Sequence, residues 1–203
     1  MTDSSTVVFT GDSVTDCGRR DDPDGLGDGY VRFLAAAPAL SGTRVVNTGV
    51  GGDLSSDLAA RWDDDVLAHS PALVSILIGI NDVWRRYDGA GRVTGVDRFE
   101  AALRGMLATL GPATRVVLIE PFVLPVDAGQ ERWEAEDLGA KRAVVRSLAA
   151  APGAAFVPAQ SALSSAGPAH ELARDGVHPT VRGHRVIAQA WLAAVPRAWL
   201  PSH

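Results

Sequence analysis

Five short and nearly unbroken apolar runs, separated by segments with helical periodicity, constrain the fold of this chain more than any other feature. Runs 7–10, 44–47, 73–78, 115–119 and 155–157 are dominated by Val, Ile, Leu, Phe and Ala. They lack the in–out alternation of a half-exposed strand, so they read as parallel strands covered on both faces. Between them, apolar residues recur at helical spacing: Leu58, Trp62 and Val66; then Phe99, Leu103, Met106, Leu107 and Leu110; then Leu138, Val145 and Leu148; finally Val186, Ile187, Ala190, Trp191 and Ala194. These stripes face a core and carry no chemistry. Thr94, with Asp97 three residues on, reads as the cap of the second helix. Strand–helix alternation predicts an α/β fold, a three-layer α/β/α sandwich around a central five-stranded parallel sheet. No repeat or low-complexity linker divides the chain, so residues 1–203 read as one domain.

Several function classes are argued against at once. The net charge is −5 with both signs dispersed, whereas nucleic-acid binding calls for a basic stripe. No apolar run reaches the roughly 18 residues of a membrane span. Cys17 is the single cysteine, which rules out an intrachain disulfide and suits a reducing compartment. The polar start Met1–Thr6 lacks the basic and apolar regions of a secretory leader, so the expected location is the cytoplasm. Asp63, Asp64 and Asp65 splay around a helix axis and read as a solvated face. His69, His170, His184 and His203 show no metal-ligand spacing, and the Asp/Gly-rich loop 21–29 does not fit an EF-hand. No metal and no cofactor are expected.

In open parallel sheets, ligands bind beyond the carboxyl ends of the strands, and the chemistry-bearing residues follow strands here. The first run leads into Gly11-Asp12-Ser13, which is either an exposed serine nucleophile or a turn in which Asp12 or Ser13 caps a helix. The second leads into Gly49-Val50-Gly51-Gly52-Asp53, a glycine turn that a phosphate could also use, although the spacing is not that of a dinucleotide or P-loop site. The third leads into Gly79-Ile80-Asn81-Asp82, an amide donor or an Asx turn. Asp175-Gly176-Val177-His178-Pro179 precedes the last helix, as a surface turn or as a carboxylate orienting an imidazole. A serine hydroxyl needs a base, the base an orienting group, and the oxyanion preorganised donors. The four segments together offer one candidate for each role.

These four blocks resemble those of SGNH (GDSL-type) hydrolases, over nearly the whole chain. The resemblance implies a flavodoxin-like sheet and a triad of Ser13, Asp175 and His178. It also implies an oxyanion hole formed by the Ser13 and Gly52 backbone N–H groups and the Asn81 side chain. Val14 stands where the family signature has leucine. The runs from Gly11 to Arg19, from Leu26 to Val31 and from Ile78 to Asp88 are similar to those of bacterial intracellular acetyl-xylooligosaccharide esterases, some of which form ring-like oligomers. Two departures adjoin the site: Gly51-Gly52-Asp53 replaces their Ser-Gly-Asn, and Arg174 replaces a tryptophan. The implied reaction is hydrolysis of short acyl esters, chiefly acetyl esters on carbohydrate, through an acyl-Ser13 intermediate. The expected partner is a small-molecule ester, with no nucleic acid and no membrane, and a homo-oligomer is compatible with the resemblance. Asp12, Trp84, Tyr87 and Arg174 are candidate substrate contacts, with Trp84 and Tyr87 placed to stack on a sugar or to serve as buried structure. The loop 121–131, stiffened by Pro121 and Pro125, is a further wall. Competing readings are a lipid or metabolite esterase or thioesterase of the same kind, a flavodoxin-like nucleotide-binding module, and a binding protein with an inactive triad.

Overall fold

The computed structural model describes residues 5–88 and 91–200; the first four residues of the polar start and His203 lie outside the described residues. Five strands, β1 (Thr6–Gly11), β2 (Arg44–Asn47), β3 (Leu73–Leu77), β4 (Arg115–Ile119) and β5 (Ala154–Val157), form one sheet in the order β2-β1-β3-β4-β5. Every pairing is parallel. The strands match the apolar runs to within a residue or so. β3 stops at Leu77 because Gly79, at φ +126°, turns the chain out of the sheet.

The helices are α1 (Ser13–Asp16), α2 (Tyr30–Ala35), α3 (Ser55–Ala60), α4 (Trp62–Asp65), α5 (Ile80–Trp84), α6 (Val96–Ala108), α7 (Ala128–Trp133), α8 (Gly139–Leu148), α9 (Ala159–Ala166), α10 (Ala169–Leu172) and α11 (Val181–Ala194). Because side chains alternate along a strand, one face of the sheet carries Val7, Phe9, Leu73, Leu77, Val117 and Ile119, packed against α2, α9 and α11. The other face carries Val8, Val74, Ile76 and Leu118, packed against α3, α4, α6 and α8. This is the three-layer sandwich read from the apolar pattern. Trp191 fills the first core and still satisfies its indole N–H on the Ser75 hydroxyl at 3.0 Å.

Two local expectations need correction. Gly95, not Thr94, is the N-cap of α6; Thr94 is buried instead, and its side chain helps to hold down the Asp82 pKa that burial raises. Leu138 does not share the stripe of Val145 and Leu148. It lies in a π-helical stretch, Glu134–Leu138, whose wider turn rotates it into a separate cluster. That cluster (Ile80, Val83, Val123, Trp133, Leu138 and Val177) sits beyond the strands and supports the site.

Candidate active site

The sheet order reverses between β1 and β3, since one crossover from β1 leads to β2 on one side while β3 lies on the other. Crevices open at such switch points, beyond the carboxyl ends of the strands. Gly11 pairs with Leu77 at that end, so the segments that follow, carrying Ser13 and Asn81, emerge side by side.

Gly11 is glycine for a reason: a β-carbon there would collide with the Leu77 carbonyl oxygen. Asp12 is the N-cap of α1, and its Oδ1 accepts the Val14 N–H at 3.0 Å. The cap leaves Ser13 as the first helical residue, its N–H outside the intrahelical ladder. Asp12 is 1% exposed, so it has no surface to offer a ligand. The expected substrate contact is corrected to a buried cap. Burial drives its pKa up to about 7, with the Asp82 and Asp53 charges adding to the effect.

The Ser13 hydroxyl lies 2.9 Å from His178 Nε2. His178 Nδ1 lies 2.6 Å from Asp175 Oδ2, while Asp175 Oδ1 accepts the backbone N–H of Val177 at 3.0 Å and of His178 at 2.7 Å. Partial burial pushes the Asp175 pKa up, but the hydrogen bonds from His178 and Val177 outweigh it and hold the carboxyl below its ordinary value. The loop is fixed at its stem by the Ala173–Pro179 bridge and by Thr180 N–H donating to the Leu172 carbonyl at 2.7 Å. In its middle, buried Val177 enters the cluster that also contains Ile80 and Val83 of α5. The base and the Asn81 helix are therefore mounted on one support.

Gly52 stands at φ +86°, where a side chain would be strained. The turn around it is held by side chains the sequence reading did not single out. Arg61 donates to the Thr48 carbonyl (2.6 Å), the Gly11 carbonyl (3.0 Å) and the Asp53 carboxylate (2.7 Å). Asp16 accepts the Gly51 N–H at 2.9 Å. The Gly51 N–H is thereby taken by a carboxylate of this chain, and Asp53 is paired with Arg61. The Asn81 amide donates to the Asp53 carbonyl at 3.0 Å, which fixes its orientation and leaves one N–H over. Asp82 behind it accepts from the Ser55 hydroxyl at 2.6 Å and the Ser55 N–H at 2.9 Å, tying α5 to α3.

Trp84 and Tyr87 separate in role. The Trp84 ring lies 5.9 Å from the His178 ring and walls the base. Tyr87 stacks on Trp133 at 5.5 Å and donates its hydroxyl to Glu136 at 2.7 Å, so one of its faces is already occupied. Trp133, which no motif marked, braces both. Arg174 is exposed beside Asp175. Of the loop 121–131, the first four residues are buried, and α7 begins within it. Loop 21–29 is tied to itself: Asp22 accepts the N–H groups of Leu26 and Gly27 at 2.8 and 2.9 Å and pairs with Arg32 at 2.5 Å.

Among the described residues, no three His, Cys, Asp or Glu side chains converge as a metal would require, and no helix is long and apolar enough to cross a membrane.

Comparison with known proteins agrees with this architecture. The chain is 38% identical to an acetylxylan esterase of Geobacillus stearothermophilus over 97% of this chain and 96% of that protein. A solved structure of an acetylxylan esterase from that organism superimposes with a TM-score of 0.84 at 34% identity, each chain covered in full. Other solved forms of it are catalytic mutants in which a serine, an aspartate or a histidine is replaced by alanine. A protein described as a GDSL-like lipase from Parabacteroides merdae matches with a TM-score of 0.85 at 32% identity, over 95% of this chain and 96% of that one. Residues 9–186 match the GDSL-like lipase/acylhydrolase family, and with that match this chain belongs to the family as a carboxylic ester hydrolase.

Proposed function

We propose that the protein is a serine esterase that removes acetyl and other short acyl groups from carbohydrate, with acetylated xylooligosaccharides as substrates. The observation that carries this reading is the unbroken chain of contacts from Asp175 through His178 to Ser13, at 2.6 and 2.9 Å. Its identity with the Geobacillus acetylxylan esterase supports the choice of substrate.

In this mechanism His178 Nε2 takes the Ser13 proton as Oγ attacks the ester carbonyl carbon. Asp175 holds the tautomer with the proton on Nδ1 and stabilises the imidazolium. The oxyanion is met by the Ser13 N–H, the Gly52 N–H and the remaining Asn81 amide hydrogen, donors already oriented before reaction. The C–O bond to the alcohol breaks, and the imidazolium gives its proton to the leaving oxygen. Water, deprotonated by His178, then attacks acyl-Ser13 and releases the acid. No cofactor enters. We place the reaction in the cytoplasm, where a lone unpaired thiol such as Cys17 is stable.

The test measures acetate release from acetylated xylooligosaccharides alongside p-nitrophenyl esters of rising chain length. Acetyl preference, abolished in Ser13→Ala, is the expected result. A preference for decanoyl over acetyl esters would overturn the carbohydrate reading, and near wild-type turnover by Ser13→Ala would overturn the nucleophile.

A further inference from the structure

A surface hollow of about 860 Å³ adjoins the loop that carries the base, and His178 is among its walls. Its walls include His170, Glu171, Arg174, Asp175 and Arg182, and Ser13 is not among them. That position has a chemical meaning. In the mechanism above, His178 must reach the leaving oxygen to protonate it, so the alcohol lies on the imidazole side of the ester. A hollow that shares His178 with the site is open to the distal part of that alcohol.

Two arginines and two carboxylates face the hollow, and three of these four charges are already committed to partners. Arg182 is committed to the Glu171 carboxylate and to the Ala166 carbonyl at 2.7 Å. Asp175 is committed to the imidazole and to two backbone N–H groups. Arg174 is exposed, and among the described residues it makes no ion pair or hydrogen bond. A guanidinium presents a planar fork matched to a carboxylate.

Resting on the esterase reading, we infer that the enzyme favours acetyl esters whose alcohol part bears a carboxylate away from the ester, as in an acetylated oligosaccharide with a uronic acid substituent, and that Arg174 reads this charge. The pair is open to solvent. Its effect is therefore modest, about fivefold, and it weakens with salt.

The experiment compares kcat/KM for two acetylated xylooligosaccharides of equal length, one neutral and one carrying a uronate, as a ratio within each protein. The wild-type ratio should favour the uronate about fivefold and fall toward unity at high salt. Arg174→Lys should keep part of the preference, Arg174→Gln should abolish it, and Arg174→Glu should invert it. A wild-type ratio of unity, or a preference that survives in Arg174→Gln, overturns the inference. Hydrolysis of p-nitrophenyl acetate by the wild-type protein separates the two levels. Activity on that ester without discrimination by charge defeats this inference alone, whereas inertness toward every acetyl ester defeats the esterase reading with it.

Discussion

The two halves of the site are built differently. On the nucleophile side, Asn81 is 4% exposed and Asp82 is fully buried, and the glycine turn is held by Arg61 and Asp16 through charge-assisted bonds. On the base side, the Asp175 and His178 side chains are 48% and 47% exposed, on a loop anchored by its stem and by Val177. In the proposed mechanism the difference follows from what each half must do. Donors to an oxyanion contribute most when they need no reorganisation as charge develops. The imidazole must meet an alcohol, a water molecule and a proton in turn, so it has to remain accessible. Rigidity is concentrated where charge appears, and openness where groups are exchanged.

Substitutions can break or sharpen this contrast. The largest effect is expected from the open half: His178→Ala should lower kcat on the order of 10⁴–10⁶-fold despite the exposure of the ring. Single-turnover kinetics with an acetyl ester would show it, and a mild loss would mean that another base serves. Asn81→Ala in the rigid half should lower kcat by about 10²–10³-fold, with a smaller change in KM. Arg61→Met touches no substrate and tests preorganisation itself. It should cost roughly tenfold to a hundredfold in kcat, and an unchanged kcat would show that the glycine turn holds its shape without the clamp. Val177→Ala, under the open half, should destabilise the fold by about 2 kcal/mol in denaturant melts and also lower kcat by loosening the loop.

A final prediction concerns the pH dependence of stability. The pKa of Asp12 is raised in the folded protein to about 7 from 3.8, mainly by burial. A carboxyl with a raised folded pKa favours folding fully below 3.8, and that contribution is lost as pH rises towards about 7. Asn at this position keeps the oxygen that caps α1 and does not ionise. The melting-temperature advantage of Asp12→Asn over wild type should therefore grow between pH 4 and pH 8. An advantage that stays flat with pH would show that Asp12 is not the titrating group.

Much of this was legible before any coordinates. Periodicity marked the strands because a fully covered parallel strand must be apolar along both faces. Ser13, Asp175 and His178 were legible only in combination: each block alone also read as a turn, but together the four blocks offered a nucleophile, a base and an orienting carboxylate and resembled those of SGNH hydrolases. Asp12 was misjudged because a capping Asp and a ligand-facing Asp look alike in sequence. Thr94 was misjudged because a cap motif says nothing of a buried carboxylate nearby. Arg61 carried no signal, since an arginine on a helix reads as solvated surface until a turn from another strand is found against it.

What the sequence alone determined is the set of elements and the chemical inventory, both local properties of spacing and side-chain type. Only the tertiary structure decided which groups became neighbours: that Val177 and Ile80 share one support, that Arg61 closes over the glycine turn, and that Asp16 rather than a ligand takes the Gly51 N–H. Those contacts join residues far apart in the chain. Their energies depend on distance and burial, which no linear pattern encodes.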